Sequence, residues 1–374
     1  MQPKATPERF KSAKGKFTNT NFDVNDYKTS NNSDYFIALS SSGGGYRAAY
    51  STLGVMQALE TLPSIKGNAN FLQDIDLFSS VSGSGIATGY YISHVFNNKN
   101  FNLTEHVNQL IKQDQLTGKP NILRKNLDIY LFNQNVKQKY LIEQHFADIF
   151  KTDSGQLRLK NIFIDKASNE TAKVPLWLIN TTIFQNMAGL VLTPKKLINL
   201  GVSPKVAYDM HISTAAVASA SYPMAIQPLK LVSNSCKHKC FLYLIDGGVN
   251  DNLGIMSTLS AIKNLKHKHK ILIVIDASDV VDSPFSESKA SPKPFDFMLK
   301  IPSMVTESHK QQIQQNMNLI AEDTRVIMLK ISKDKRAVGI RTRFSSSLKE
   351  QKLLISIGKK LLLSYPNIQD LLSK

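Results

Sequence analysis

The stretch YFIALSSSGGGYRAAYSTLGVMQALE, Tyr35 to Glu60, passes from a short apolar run through three glycines into a pattern of helical period. An apolar run of strand length followed at once by a helix opens a strand–turn–helix unit. The segment Ser42-Gly43-Gly44-Gly45-Tyr46-Arg47 between the two fits three roles: a phosphate cradle, an oxyanion binder or a tight turn. A nucleotide-binding loop would place a lysine and then Ser or Thr after its glycines, and none follows here. The choice between the other two roles depends on what the rest of the chain supplies.

Outward from this unit the alternation continues. Apolar runs YFIALS, IDLFSSVS, VPLWLINTT, FLYLID, KILIVIDAS and RVIMLKIS are separated by helical patterns, which predicts an α/β fold with a mostly parallel central sheet covered on both faces. With 374 residues, 42% of them hydrophobic, the chain can bury a deep core and is not a disordered protein. Residues 1–33 are polar and rich in Lys and Asn, and are expected to form an N-terminal arm; 34–374 form the folded domain. Between about 97 and 160 the chain is helical and charged without a convincing strand, which predicts a helical insertion beside the sheet. Residues 282–304 open with Pro and Ser and then present Phe295, Phe297, Met298, Leu299, Ile301 and Met304 among lysines, a composition suited to a lid or an interfacial surface. The segment SSLKEQKLLISIGKKLLLSYP is expected to close the core as a helix ending before Pro366.

Lys and Arg number 46 against 29 Asp and Glu, a formal charge of +17, so anionic lipid, nucleic acid or acidic substrates are the partners to consider. The basic residues show no motif with interleaved aromatics, which disfavours nucleic acid. No apolar run has the length to span a bilayer, and the opening MQPKATPERFKSAKGK lacks the apolar core of a signal peptide. The expectation is a soluble, peripherally associating protein, cytosolic or a mature secreted chain. Cys236 and Cys240 flank three residues between LKLV and FLYLI, where a hairpin would oppose them; a bridge and two free thiols both fit. Together with His238 they make a poor zinc site in so short a loop.

The chemistry concentrates in two further segments. LQDIDLFSSVSGSGIATGYY runs from a strand into small residues and then a helix, the setting of a nucleophile elbow. That turn admits only small groups two positions either side of the nucleophile. Ser82 has Ser80 and Ser84 there, whereas Ser84 would have Ile86, so Ser82 is the candidate nucleophile. A triad would need a late histidine, yet none follows His309; His94 and His106 sit too soon after the elbow, His238 in a turn, and His267 and His269 in a lysine cluster. FLYLIDGGVNDNLGI offers another base: Asp246 ends an apolar strand just before two glycines. A Ser82–Asp246 dyad is the economical reading.

In order and wording, SGGGYRAA, SVSGSG and IDGGVNDNLGI resemble the patatin-like phospholipases and their relatives, the cytosolic phospholipases A and fungal lysophospholipases. LWLINTTIF and AAVASASYPMAIQP are weaker echoes of the same family. The resemblance implies a three-layer α/β/α fold with Ser82 as acyl-accepting nucleophile and Asp246 as its base. It makes Gly44 and Gly45 the oxyanion donors, with Gly43 permitting the turn. Arg47 matches an arginine that engages substrate phosphate, a structural arginine being the alternative. The chain departs from the pattern at Ser80, where most of the family has glycine. The implied activity is that of a serine esterase of phospholipase A or lysophospholipase type, acting on phospholipid or lysophospholipid at an anionic membrane surface. An acyltransferase using the same dyad, or a catalytically weak membrane-binding protein, is the alternative. Neither a calcium-binding lipid-targeting domain nor an acidic metal loop is evident, so the expected hydrolysis needs no metal or other cofactor.

Overall fold

The structure, a computed structural model, describes residues 22–29, 33–113, 141–223, 226–236, 240–263, 265–278, 324–340, 342, 346–366 and 368. Its strands are β1 (Tyr35–Ser41), β2 (Leu77–Val81), β3 (Leu176–Ile183), β4 (Gly189–Val191), β5 (Leu229–Ser233), β6 (Cys240–Asp246), β7 (His269–Asp276) and β8 (Thr324–Lys330). The longer helices are α1 (Gly45–Glu60), α2 (Gly83–Asn97), α3 (Leu103–Gln113), α4 (Leu141–Phe150), α5 (Ile212–Ser219), α6 (Ile255–Ile262) and α7 (Leu348–Leu363). One sheet runs β5-β6-β3-β2-β1-β7-β8, with β4 paired to β3.

From β3 to β8 every pairing is parallel, as the alternating pattern implies. The other end is antiparallel: β6 runs against β3, and β5 and β4 join as hairpin partners. The sheet is therefore mixed. The central strands β1, β2 and β3 are buried at nearly every position because helices cover both faces. Successive residues of β2 show this directly. The Ser79 hydroxyl faces the start of α6 through the Gly254 carbonyl, while Ser80, on the opposite face, lies against the start of α2 near Gly85. On β5 and β6 exposed and buried positions alternate over most of their length, so one face of that hairpin is open. Cys236 and Cys240 form a disulfide across its turn, with Cα atoms 6.1 Å apart.

Within the stretch expected to be an N-terminal arm, Phe22, Val24 and Tyr27 belong to the core. Tyr27 stacks on Phe22 at 5.6 Å and meets Phe163 edge-on at 5.3 Å. Three apolar residues scattered in a polar stretch carry no period, so nothing in the pattern marks them. In the region of the expected insertion the described helices are α3, α4 and a short turn at Leu159–Ile162; residues 114–140 lie outside the described residues. The expected lid at 282–304 lies outside them as well. Among the described residues no helix is long and apolar enough to cross a membrane.

The C-terminal helix α7 begins at a capping box made by Ser347 and Glu350 and packs along α1. The approach is so close that a Cβ on Gly54 would fall 2.2 Å from the Ile355 carbonyl oxygen. Backbone cannot yield as a flexible side chain would. Gly54→Ala is therefore expected to destabilise the domain by about 2 kcal/mol or more, read as a lower midpoint in urea denaturation.

Candidate active site

The turn between β2 and α2 is built around Ser82, whose backbone adopts φ 53°, ψ −124°. A residue with a Cβ at positive φ is strained, and such strain persists only when the surroundings hold it. Here they do. The Ser82 N–H donates to Ser219 Oγ at 3.0 Å, and the Ser219 hydroxyl donates in turn to the Asn180 carbonyl at 2.6 Å. Gly83 lets the glycine turn approach: a Cβ there would fall 1.9 Å from the Gly45 carbonyl oxygen. The two motifs, separated in sequence, are in backbone contact.

Ser84 has another task. Its hydroxyl is buried and lies 2.9 Å from the Ser41 carbonyl and 2.8 Å from that of Val81, so it ties β1 to β2. Ser80, standing where most of the family has glycine, accepts a 2.7 Å hydrogen bond from the Trp177 indole N–H. The extra hydroxyl is thus absorbed by the one tryptophan of the chain.

Asp246 ends β6 and is 2% exposed, against 8% for Ser82. The Gly248 N–H donates to Asp246 Oδ1 at 2.7 Å. Burial pushes this carboxyl up to about 6, against the opposing pull of the Gly248 N–H and of the nearby Ser82 side chain. Near neutral pH it is mostly ionised and still basic enough to take a proton. Tyr222 lies close by; burial and the Asp246 charge push its phenol up to about 12, so it stays protonated. Among the described residues no histidine is a hydrogen-bond partner of Ser82 or Asp246.

The glycine turn faces the same point. A Cβ on Gly43 would lie 3.4 Å from Ser82 Cβ and 2.5 Å from Asn252 Oδ1. The Gly43 N–H is occupied by the Asn252 carbonyl at 2.9 Å. Gly44 caps α1 at φ 141° and Gly45 opens it at φ 53°, conformations glycine reaches without strain. Among the described residues the N–H groups of Gly44 and Gly45 make no hydrogen bond. Two open donors at a helix start, beside a serine, suit a developing negative charge.

Arg47 has a different place from the expected contact with substrate phosphate. Only 2% exposed, it donates from Nε to the Ala277 carbonyl at 2.9 Å and from Nη1 to the Ala337 and Ile340 carbonyls at 2.7 and 2.8 Å. It is a strut that fixes α1 to the end of β7 and to the loop after β8. These three partners are backbone carbonyls.

Three site residues have no distinctive sequence signal. Asn180 Nδ2 donates to Ser79 Oγ and to the Ser80 carbonyl at 2.9 and 3.0 Å, Ser219 supports the elbow, and Asn252 holds the glycine turn. Asn252 does lie within IDGGVNDNLGI, but Asn250 lies there too, and spacing alone does not choose between them. No group of three or more potential metal ligands occurs among the described residues.

The family model for patatin-like phospholipases matches residues 39–259, a span that contains the glycine turn, the serine elbow and the Asp246 strand. The chain belongs to that family. No curated protein sequence matches it at significance. Eleven solved chains match by structure, among them human GIVD cytosolic phospholipase A2, with a TM-score of 0.38 and 13% sequence identity. That alignment covers 64% of this chain and 42% of the human one, so the chain spans under half the length of that relative.

Two measurements probe the site's construction. Asp246 ionises at about 6 when folded, above the 3.8 of an ordinary Asp, so the folded state holds the proton more tightly. The stability it contributes is present at low pH and is lost as pH rises from about 4 through about 6. In urea denaturation, Asp246→Asn should therefore gain relative to wild type across that window. Arg47→Met removes the guanidinium from the Ala277 and Ile340 carbonyls and leaves the Ala337 carbonyl only the Ile340 N–H, and is expected to cost on the order of 3 kcal/mol in the same measurement.

Proposed function

We propose that this chain is a lipid acyl hydrolase of phospholipase A or lysophospholipase type, working through a Ser82–Asp246 dyad and an acyl-enzyme. The observation that carries the reading is that β2 and β6, both paired to β3, bring Ser82, on a strained elbow, beside the buried carboxyl of Asp246, whose proton affinity the Ser82 side chain lowers. As Ser82 Oγ attacks the ester carbonyl, Asp246 takes its proton. The carbonyl oxygen becomes an oxyanion, for which the Gly44 and Gly45 N–H groups at the start of α1 are the donors. Collapse expels the lyso-lipid or glycerol oxygen, which leaves with the proton held by Asp246. Water then attacks the acyl-serine, losing a proton to the same carboxylate, and Ser82 is restored as the fatty acid departs.

Family membership supports a lipid substrate, and the +17 formal charge supports work at an anionic lipid surface. In this reading Arg47 serves stability; headgroup phosphate is met by other groups.

The test is release of fatty acid from a panel of phospholipids and lysophospholipids. Ser82→Ala and Asp246→Ala should each lower kcat by roughly 10⁴-fold while staying folded. Full activity in folded Ser82→Ala would sink the dyad, and fatty acid recovered only on an added alcohol would make the enzyme a transferase. Because the base must be ionised, kcat/KM is expected to rise with pH to a plateau, with a midpoint near the value of about 6 for Asp246.

A further inference from the structure

One face of the β5–β6 hairpin carries a set of exposed and partly exposed apolar side chains. Val232 stands opposite Phe241, and Lys230 opposite Tyr243, in the hairpin register. The third strand extends the second row: Ile183 pairs with Leu244, and the Phe184 N–H donates to the Tyr243 carbonyl at 2.9 Å. Residues two apart on a strand share a face, so Lys230, Val232, Phe241, Tyr243 and Phe184 form one surface. Val232 is 42% exposed, Phe241 39% and Phe184 41%. The Lys230 ammonium lies 4.0 Å from the Phe241 ring centroid and 5.9 Å from that of Tyr243. Beyond Phe184 the chain turns at Met187, 51% exposed, whose carbonyl accepts from Asn250 Nδ2 at 3.0 Å. Asn250 closes the turn that starts at Asp246, so this surface abuts the loop carrying the candidate base.

Short of Asp246 itself, the strands that form it carry charge of one sign in sequence. From Leu176 to Tyr208, and again from Met210 to Ile245, the chain has no Asp or Glu, while Lys230 stands on the hairpin. Aromatic and aliphatic side chains mixed with a lysine, and without carboxylates, match the boundary between acyl chains and anionic headgroups. We propose that this hairpin face, with the Met187 turn, is the surface by which the protein docks on an anionic lipid bilayer, bringing the Asp246 loop to the membrane. The inference rests on the phospholipase reading for its choice of partner.

Co-sedimentation with vesicles of two parts phosphatidylcholine to one part phosphatidylglycerol tests it. Val232→Ser/Phe241→Ser is expected to lower the partition coefficient by about tenfold or more, with turnover of a water-soluble short-chain ester unchanged. Lys230→Glu should weaken binding to the anionic vesicles but not to pure phosphatidylcholine, and high salt should erase that difference. Wild type that ignores the vesicles, or a double variant that binds them as wild type does, overturns the proposal. So does a wild-type dimer that the double variant splits in size-exclusion chromatography without any change in vesicle binding; the face would then pair two copies. Ser82→Ala keeps the two readings apart. It should lose ester turnover yet sediment like wild type, and an inactive wild type that still needs Val232 and Phe241 for binding would cost only the hydrolase reading.

Discussion

The site hangs on the register of β3. This strand pairs in parallel with β2, Val81 opposite Asn180, and antiparallel with β6, Thr181 opposite Asp246. Its two neighbours therefore end at the same level, one delivering Ser82 a residue beyond the pairing and the other delivering Asp246 within it. Strands flanking a common neighbour stand about 10 Å apart, a gap that two side chains can close. A slip of one residue would turn Asp246 to the opposite face of the sheet. Asn180 guards against this at the centre: its side chain bonds to β2 at Ser79 and Ser80, and its carbonyl accepts from Ser219 below the elbow.

Around that register the fold holds two unfavourable states at once, a serine at positive φ and a carboxylate almost without solvent. Each is tolerated because hydrogen bonds fix it from several directions. The Ser82 N–H is anchored to Ser219, and the Asp246 carboxylate accepts from the Gly248 N–H. The glycine turn, by contrast, leaves two donors without a partner among the described residues. Satisfied groups set the geometry while open ones await a ligand, a division expected of a preorganised site.

Much of this is legible in the sequence, and the reasons are local. Each of the six apolar runs is a strand: β1, β2 and β3 are buried at nearly every position, while β6 and β8 still carry enough apolar residues on their buried face to stand out from the polar segments around them. Ser82 and Asp246 stand out for a similar reason: small residues crowd around one, and two glycines follow the other. Direction is a different matter. That β6 runs against β3 is set by how the chain returns between them, and three residues, the length of β4, are too few to carry a period. Asn180 and Ser219 look like any polar residue at the end of an apolar stretch. For Arg47 the motif points to phosphate, but its partners are carbonyls 230, 290 and 293 residues further on, and no local pattern reports them. The cysteine spacing is compatible with two states, and only the hairpin geometry chooses the bridge.

The reach of Arg47 bears on when the protein becomes competent. Helix α1 and its glycine turn emerge from the ribosome well ahead of the elements that seat them, namely β7, the loop around Ala337 and Ile340, and α7. Contacts of such separation form late in folding. A nascent chain can hold the serine and the aspartate long before it holds a fixed helix start to steady an oxyanion. In the proposed reading, lipid-cleaving capacity would then wait on the synthesis of α7.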